Sequence, residues 1–167
     1  ISLHLAVGSG QGASAAKLFI IDLQTMSLSK SFGREGVLAL GSGENGAYVG
    51  GISAVDYQLD AQTDSLYVGT VKEGQMKTDA ASVKDLSGEL FRLDLSGKGH
   101  RKTSIHKRLD ARGPIVSSPV ISTDSVGNHW VHLSTGRLEK TSDYMSLSQA
   151  SQATSYIYGF KDRLGDS

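Results

Sequence analysis

Between residues 56 and 64 an oxygen-bearing side chain stands at every second position: Asp56, Gln58, Asp60, Gln62 and Asp64. Calcium is a hard cation that takes about six to eight oxygen ligands. A loop with side-chain oxygens at its first, third, fifth and ninth positions, and a backbone carbonyl at the seventh, can wrap one. Counted from Asp56, the side chains of Asp56, Gln58, Asp60 and Asp64 fall on those places, with the Gln62 carbonyl at the seventh. Ala61 stands where a glycine would ease the turn, and Tyr67 holds the twelfth position in place of the glutamate of an EF-hand. The same residues also suit a polar inter-strand loop whose aspartates accept backbone N–H groups. A bound calcium would brace the loop or make partner binding depend on calcium.

Other spacings with chemical meaning do not hold together. Gly8-Ser9-Gly10-Gln11-Gly12-Ala13 imitates a dinucleotide fingerprint, with Asp22 in the place of a ribose ligand. That motif needs a helix next, to aim its N-terminus at the pyrophosphate, and only four residues precede another apolar run. The segment fails as a P-loop because Ala13, not lysine, follows Gly12. His129 and His132 would share a helix face, but in a strand that spacing sends them to opposite faces, and zinc is not expected. No Gly-x-Ser-x-Gly elbow is present, so no catalytic residue is assigned. A pair of carboxylates for glycoside hydrolysis leaves no spacing signature.

The elements that must carry these residues are strands. Apolar residues alternate over short runs: Leu3–Val7, Lys17–Asp22, Ser65–Val71, Glu89–Leu95, Trp130–Leu133 and Ser155–Phe160. Twenty glycines against two prolines fit many tight turns. Only 75–86 and 141–155 leave room for a turn or two of helix. The runs form three pairs. In each, an apolar strand closes on Gly or Ser (Val7-Gly8-Ser9, Val68-Gly69-Thr70, Leu133-Ser134-Thr135), a polar loop follows, and a second strand ends on Asp22, Asp94 or Asp162. These aspartates are 72 and 68 residues apart (94 − 22 and 162 − 94). Each aspartate is expected to accept N–H groups of the following turn. Self-similarity at a near-constant period marks a repeat architecture, here with units at about 1–35, 52–110 and 115–167.

The expected fold is therefore all-β, with antiparallel sheets forming about three blades of a β-propeller. A closed propeller needs about four blades or more, so residues outside this chain are expected to complete it. The chain begins at Ile1 with no signal peptide, which reads as a processed product, a cloned piece or a fragment. Lys+Arg and Asp+Glu are both 17, so no net field recruits nucleic acid. The basic run His100–Arg112 lacks interleaved aromatics and reads as a solvated hairpin. No apolar run approaches the ~20 residues of a membrane span. The absence of cysteine removes disulfides and thiolate metal sites.

Three stretches resemble the C-terminal β-propeller of type IV pilus tip-associated proteins, the PilY adhesin and assembly family. They are Lys17–Thr25; Val55–Gly69 followed by Gly88–Leu95; and Ser134-Thr135-Gly136-Arg137, Asp143 and Tyr158–Asp162. The chain departs from the family in Ser134 where glycine is favoured, in Thr70 where aspartate is common, and in a longer segment between 70 and 87. The resemblance implies a calcium site in the Asp56–Asp64 loop. It also implies a bacterial extracellular, pilus-tip or periplasmic location, and a non-enzymatic role in pilus extension and adhesion. Implied partners are pilins or minor pilins, a host or abiotic surface, and the rest of the parent propeller. Related repeats occur in quinoprotein dehydrogenases, which makes a fragment of such an enzyme the alternative. A purely structural cell-surface β module is another.

Overall fold

The computed structural model describes residues 4–10, 15–33, 35–41, 46–73, 86–95, 103–136 and 155–163. Among them every regular element is a strand: β1 (His4–Gly8), β2 (Lys17–Asp22), β3 (Ser27–Leu28), β4 (Val37–Ala39), β5 (Ala47–Val55), β6 (Ser65–Glu73), β7 (Leu86–Asp94), β8 (Ser104–Ala111), β9 (Val120–Thr123), β10 (His129–Ser134) and β11 (Ile157–Asp162). No helix in them is long and apolar enough to cross a membrane. The stretches left open for helix, 75–86 and 141–155, fall almost wholly outside the described residues.

The strands form three antiparallel sheets. Sheet one sets β2 between β1 and the short pair β3 and β4; sheet two is the meander β5-β6-β7-β8; sheet three is β9-β10-β11. Each strand pair expected from the sequence is hydrogen-bonded: β1 with β2, β6 with β7, and β10 with β11. In each, the closing aspartate pairs with the first residue of the preceding strand: Asp22 with His4, Asp94 with Ser65, Asp162 with His129.

The far end of each pair is locked by a hydroxyl. Ser9 Oγ accepts the N–H of Lys17 at 2.9 Å and donates to the Ala15 carbonyl. Thr70 Oγ1 accepts from Glu89 N–H at 2.9 Å and donates to the Glu89 carbonyl. Thr135 Oγ1 makes the same two bonds to Tyr156. This clamp sits five residues after His4 and Ser65 but six after His129. On the partner strands Asp22 and Asp94 lie five residues past Lys17 and Glu89, whereas Asp162 lies six past Tyr156. Because side chains alternate, one extra residue sends Asp162 to the opposite face from its counterparts.

Each sheet therefore has a front face and a back face. The front positions, counted from the clamps, are Leu5, Val7, Phe19 and Ile21 in sheet one, Leu66, Val68, Phe91 and Leu93 in sheet two, and Val131, Leu133, Tyr158 and Phe160 in sheet three. The back of sheet one (Leu18, Ile20, Leu38) packs on the front of sheet two in one core cluster. The back of sheet two (Tyr67, Leu90) packs on the front of sheet three in a second. Both junctions thus have the same front-on-back polarity.

Candidate functional site

Within the 56–64 loop each aspartate serves the loop's own amides. Asp56 accepts N–H bonds from Asp60 and Ala61 through its two oxygens, at 3.3 and 2.8 Å. Asp60 accepts from the backbone and the side-chain amide of Gln62, at 2.9 and 3.2 Å. Asp64, buried at the start of β6, accepts from Tyr57 N–H at 2.7 Å, Gln58 N–H at 3.1 Å and the Gln58 side-chain amide at 3.2 Å. Leu59 and Ala61 are left-handed, at φ 56° and 64°. For a side chain with a Cβ that conformation costs about 1–2 kcal/mol, and the aspartate–amide bonds hold it.

Two features of this geometry bear on calcium. Ala61 sits at the sixth position of the loop and adopts the turn for which calcium loops use glycine. The carboxylates, however, are spread along the loop: among the described residues no group of three or more His, Asp or Glu side chains is gathered to hold a metal. Asp56, Asp60 and Asp64 would have to turn toward a common centre to cage an ion.

A second polar constellation, which sequence patterns did not reveal, lies between sheets two and three. Asp162 is fully buried, and its Oδ2 accepts from the Tyr67 hydroxyl at 2.6 Å. Its Oδ1 receives Arg92 Nη1 at 3.0 Å and also Arg108 Nη2. Arg92, 1% exposed, reaches Asp94 through Nε at 3.0 Å and through Nη2 at 3.1 Å, and donates to the Arg163 carbonyl. Ser65 Oγ donates to Asp94 at 2.8 Å, and His106 Nε2 lies 3.5 Å from it. Tyr57, in the loop that carries the acidic residues, meets the Tyr67 hydroxyl at 2.7 Å and so ties that loop to the cluster. Arg108 arrives by a β-bulge: Leu90 pairs with Leu109 and Phe91 with Lys107, so the register shifts at Arg108 and its side chain is re-aimed.

The expectation that each closing aspartate caps its following turn holds at Asp22, which accepts from Gln24 N–H at 2.8 Å. The turns that follow Asp94 and Asp162 lie outside the described residues; within the described residues both aspartates take side-chain donors. Both stand beside the buried Arg92, and a buried guanidinium requires anionic partners. Burial works to discharge Arg92, and the fields of Asp162 and Asp94 more than offset it, holding its charge more firmly than usual. Three members of the basic run 103–112 also find anionic partners, Lys107 at the exposed surface. Lys107 bonds Asp110 and Glu89, His106 faces Asp94, and Arg108 meets Asp162.

Burial, together with the bond to Asp162, drives the Tyr67 hydroxyl far above the ordinary tyrosine range, and burial raises Tyr57 as well. A raised folded-state pKa contributes stability that is fully present below the unfolded value near 10 and is lost as pH rises beyond it. Alkaline titration followed by tyrosinate absorbance should therefore show Tyr67 and Tyr57 silent near pH 10 while solvent-facing tyrosines ionise. Their signal should appear only as the fold opens. Early titration of all six tyrosines would show that the cluster is not closed.

The remaining candidates are structural pairings. His129 and His132 point to opposite faces of β10, as their spacing in a strand predicts. His129 Nδ1 meets Thr123 at 3.0 Å and its ring packs on Tyr57, while His132 Nε2 meets Ser122 at 3.1 Å across the strands. The fingerprint-like Gly8–Ala13 lies partly outside the described residues, and its Ser9 is a strand clamp. Asp124 closes the β9–β10 turn by accepting from Asn128, Trp130 and Val126, and these bonds, those of Asn128 first, hold its carboxyl well below the usual range. Comparison of the chain with protein-family models, curated proteins and solved structures found no match to any of them.

Proposed function

We propose that this chain is a non-enzymatic binding module of a bacterial surface appendage: part of a type IV pilus-associated propeller whose inter-strand loops hold pilins or minor pilins and contact a host or abiotic surface. The observation that supports a propeller reading is the recurrence of one clamped strand pair in three sheets that stack with the same polarity. Propellers bury their blade faces by radial repetition of such a unit. The pilus reading itself rests on the motif order along the chain. An extracellular or periplasmic setting belongs to the same proposal.

Purified chain should bind immobilised pilins or minor pilins saturably. Failure to bind any pilus component would sink the pilus reading, and a bound quinone absorbance in the purified protein would replace it with the dehydrogenase alternative. Calcium in the loop of Asp56, Gln58, Asp60, Gln62 and Asp64 is part of this proposal, supported by the left-handed turn at Ala61. An ion there would tie the exposed tip at Asp60 to the buried Asp64. A ligand that binds only the folded state stabilises it by about 2.7 kcal/mol at a hundred times its Kd. Millimolar calcium should thus raise the melting midpoint over chelator, and Asp60→Asn should reduce the rise. An unchanged midpoint would assign the carboxylates wholly to the loop amides.

A further inference from the structure

Tyr57 is held by the acidic loop at its backbone and by sheet three at its side chain. Its N–H bonds Asp64 Oδ2 at 2.7 Å, and the same oxygen takes the Gln58 N–H at 3.1 Å. Its ring centroid lies 4.3 Å from that of His129, and its hydroxyl 2.7 Å from that of Tyr67. The proton order of this chain is fixed. Tyr67 spends its single hydroxyl hydrogen on Asp162 at 2.6 Å, so the Tyr57 hydroxyl must donate to Tyr67. Bonds in such a chain polarise and strengthen one another. The relay ends on the carboxylate that also receives Arg92 and Arg108, and Asp162 stands opposite His129 in the β10–β11 register.

Asp64 is the fixed end of this arrangement. Its N–H donates to the Val55 carbonyl at 2.8 Å and its carbonyl accepts from the Leu95 N–H at 2.7 Å, which ties its backbone to β5 and to the end of β7. Residues 57 and 58 are held to it through its carboxylate, so when that carboxylate lets go, Tyr57 moves and Asp64 stays. We propose that Asp64 and Tyr57 couple the acidic loop to the joint between sheets two and three. An event that draws the Asp64 carboxylate off its amides releases Tyr57 from Tyr67 and His129 and loosens the Asp162 end of sheet three. The other end of the joint, where Ile115 and Leu133 lie in the apolar cluster, keeps its grip. Loop and joint then bias one shared element, which is what carries coupling between sites. The proposal rests on these contacts and on neither the calcium nor the pilus reading.

Amide hydrogen exchange of the full chain tests this, because it reads the two ends of one ladder separately. The measure is the ratio of exchange at the His129–Asp162 end of the β10–β11 pair to exchange at its Leu133–Tyr158 end. A change in global stability moves both ends and leaves the ratio alone. Asp64→Asn withdraws the carboxylate and should raise the ratio about tenfold or more, the scale of one hydrogen bond to a charged group. Tyr57→Phe keeps the ring and the backbone N–H, removes the donor to Tyr67, and should raise the ratio as well. The double variant should show no more than the larger single effect, since both act through one link. Asp56 bonds the amides of Asp60 and Ala61 instead, so Asp56→Asn should leave the ratio unchanged. A ratio unmoved by Asp64→Asn, effects that multiply in the double variant, or an equal response to Asp56→Asn would each overturn the coupling. Should Asp64→Asn not fold, Tyr57→Phe alone decides, and an unmoved ratio there overturns it too.

Discussion

Replacing Asp162 with alanine is expected to destabilise the protein by about 3–5 kcal/mol, the cost of breaking a buried ion pair from one side. The loss is large because one carboxylate answers three donors. Arg92 at 3.0 Å, Tyr67 at 2.6 Å and Arg108 all end on it. Removing it leaves Arg92, 1% exposed, with Asp94 as its one charged partner among the described residues. Urea unfolding, compared at equal slope with the wild type, reads the change. The double variant Arg92→Met with Asp162→Leu should lose less than the two single losses combined, because an apolar replacement of both partners leaves fewer orphaned charges. A loss below about 1 kcal/mol for Asp162→Ala would mean that water reaches the cluster.

Gly50→Ala is expected to dislodge the segment that joins sheets two and three. Gly50 and Gly51 form a β-bulge in β5 opposite Gly69, between the pairs Val49–Thr70 and Ile52–Val68. Residues 113–119 cross the sheet at this point. Ile115 N–H bonds the Thr70 carbonyl at 3.1 Å, and the Ser53 hydroxyl bonds the Pro119 carbonyl. A Cβ on Gly50 would lie 2.0 Å from the Ile115 carbonyl oxygen, and one on Gly51 2.3 Å from the backbone of Ser117. Backbone cannot yield as a side-chain tip can, so the cost lies at or above the ~1–3 kcal/mol typical of overpacking. The readout is the denaturation midpoint, with protease nicking near 113–119 as a local report. Gly10→Ala, where an added Cβ meets nothing within 4 Å, should stay within about 0.5 kcal/mol of the wild type. Equal effects at the two sites would remove the crossing from the account.

Both predictions concern features at which strand reading from the sequence stops. β2 is legible to the residue because Leu18 and Ile20 alternate with Phe19 and Ile21 between Lys17 and Asp22. β5 and β9 show no readable alternation, and β8 shows only as part of a solvated hairpin. Glycines at 50 and 51 break the alternation of β5, and Lys107, Arg108 and Asp110 leave β8 without an apolar face to mark its register. Their pairing is set by neighbouring strands, which no local window contains. The acidic loop was legible in residue type and spacing. Which lone pairs its carboxylates spend on Tyr57, Gln58, Asp60 and Ala61 depends on how the chain turns back, and hence on the fold.

By itself the sequence determined the all-β class, the three strand pairs and the residues of their apolar faces, because alternation and turn chemistry are local. Only the tertiary structure decided what each face meets. The extra residue in the third unit is invisible to a repeat alignment that matches Asp162 with Asp22 and Asp94. It nonetheless places Asp162 at the buried centre of an ionic cluster. The reason is the two-residue period of a strand: a shift of one position exchanges solvent for core.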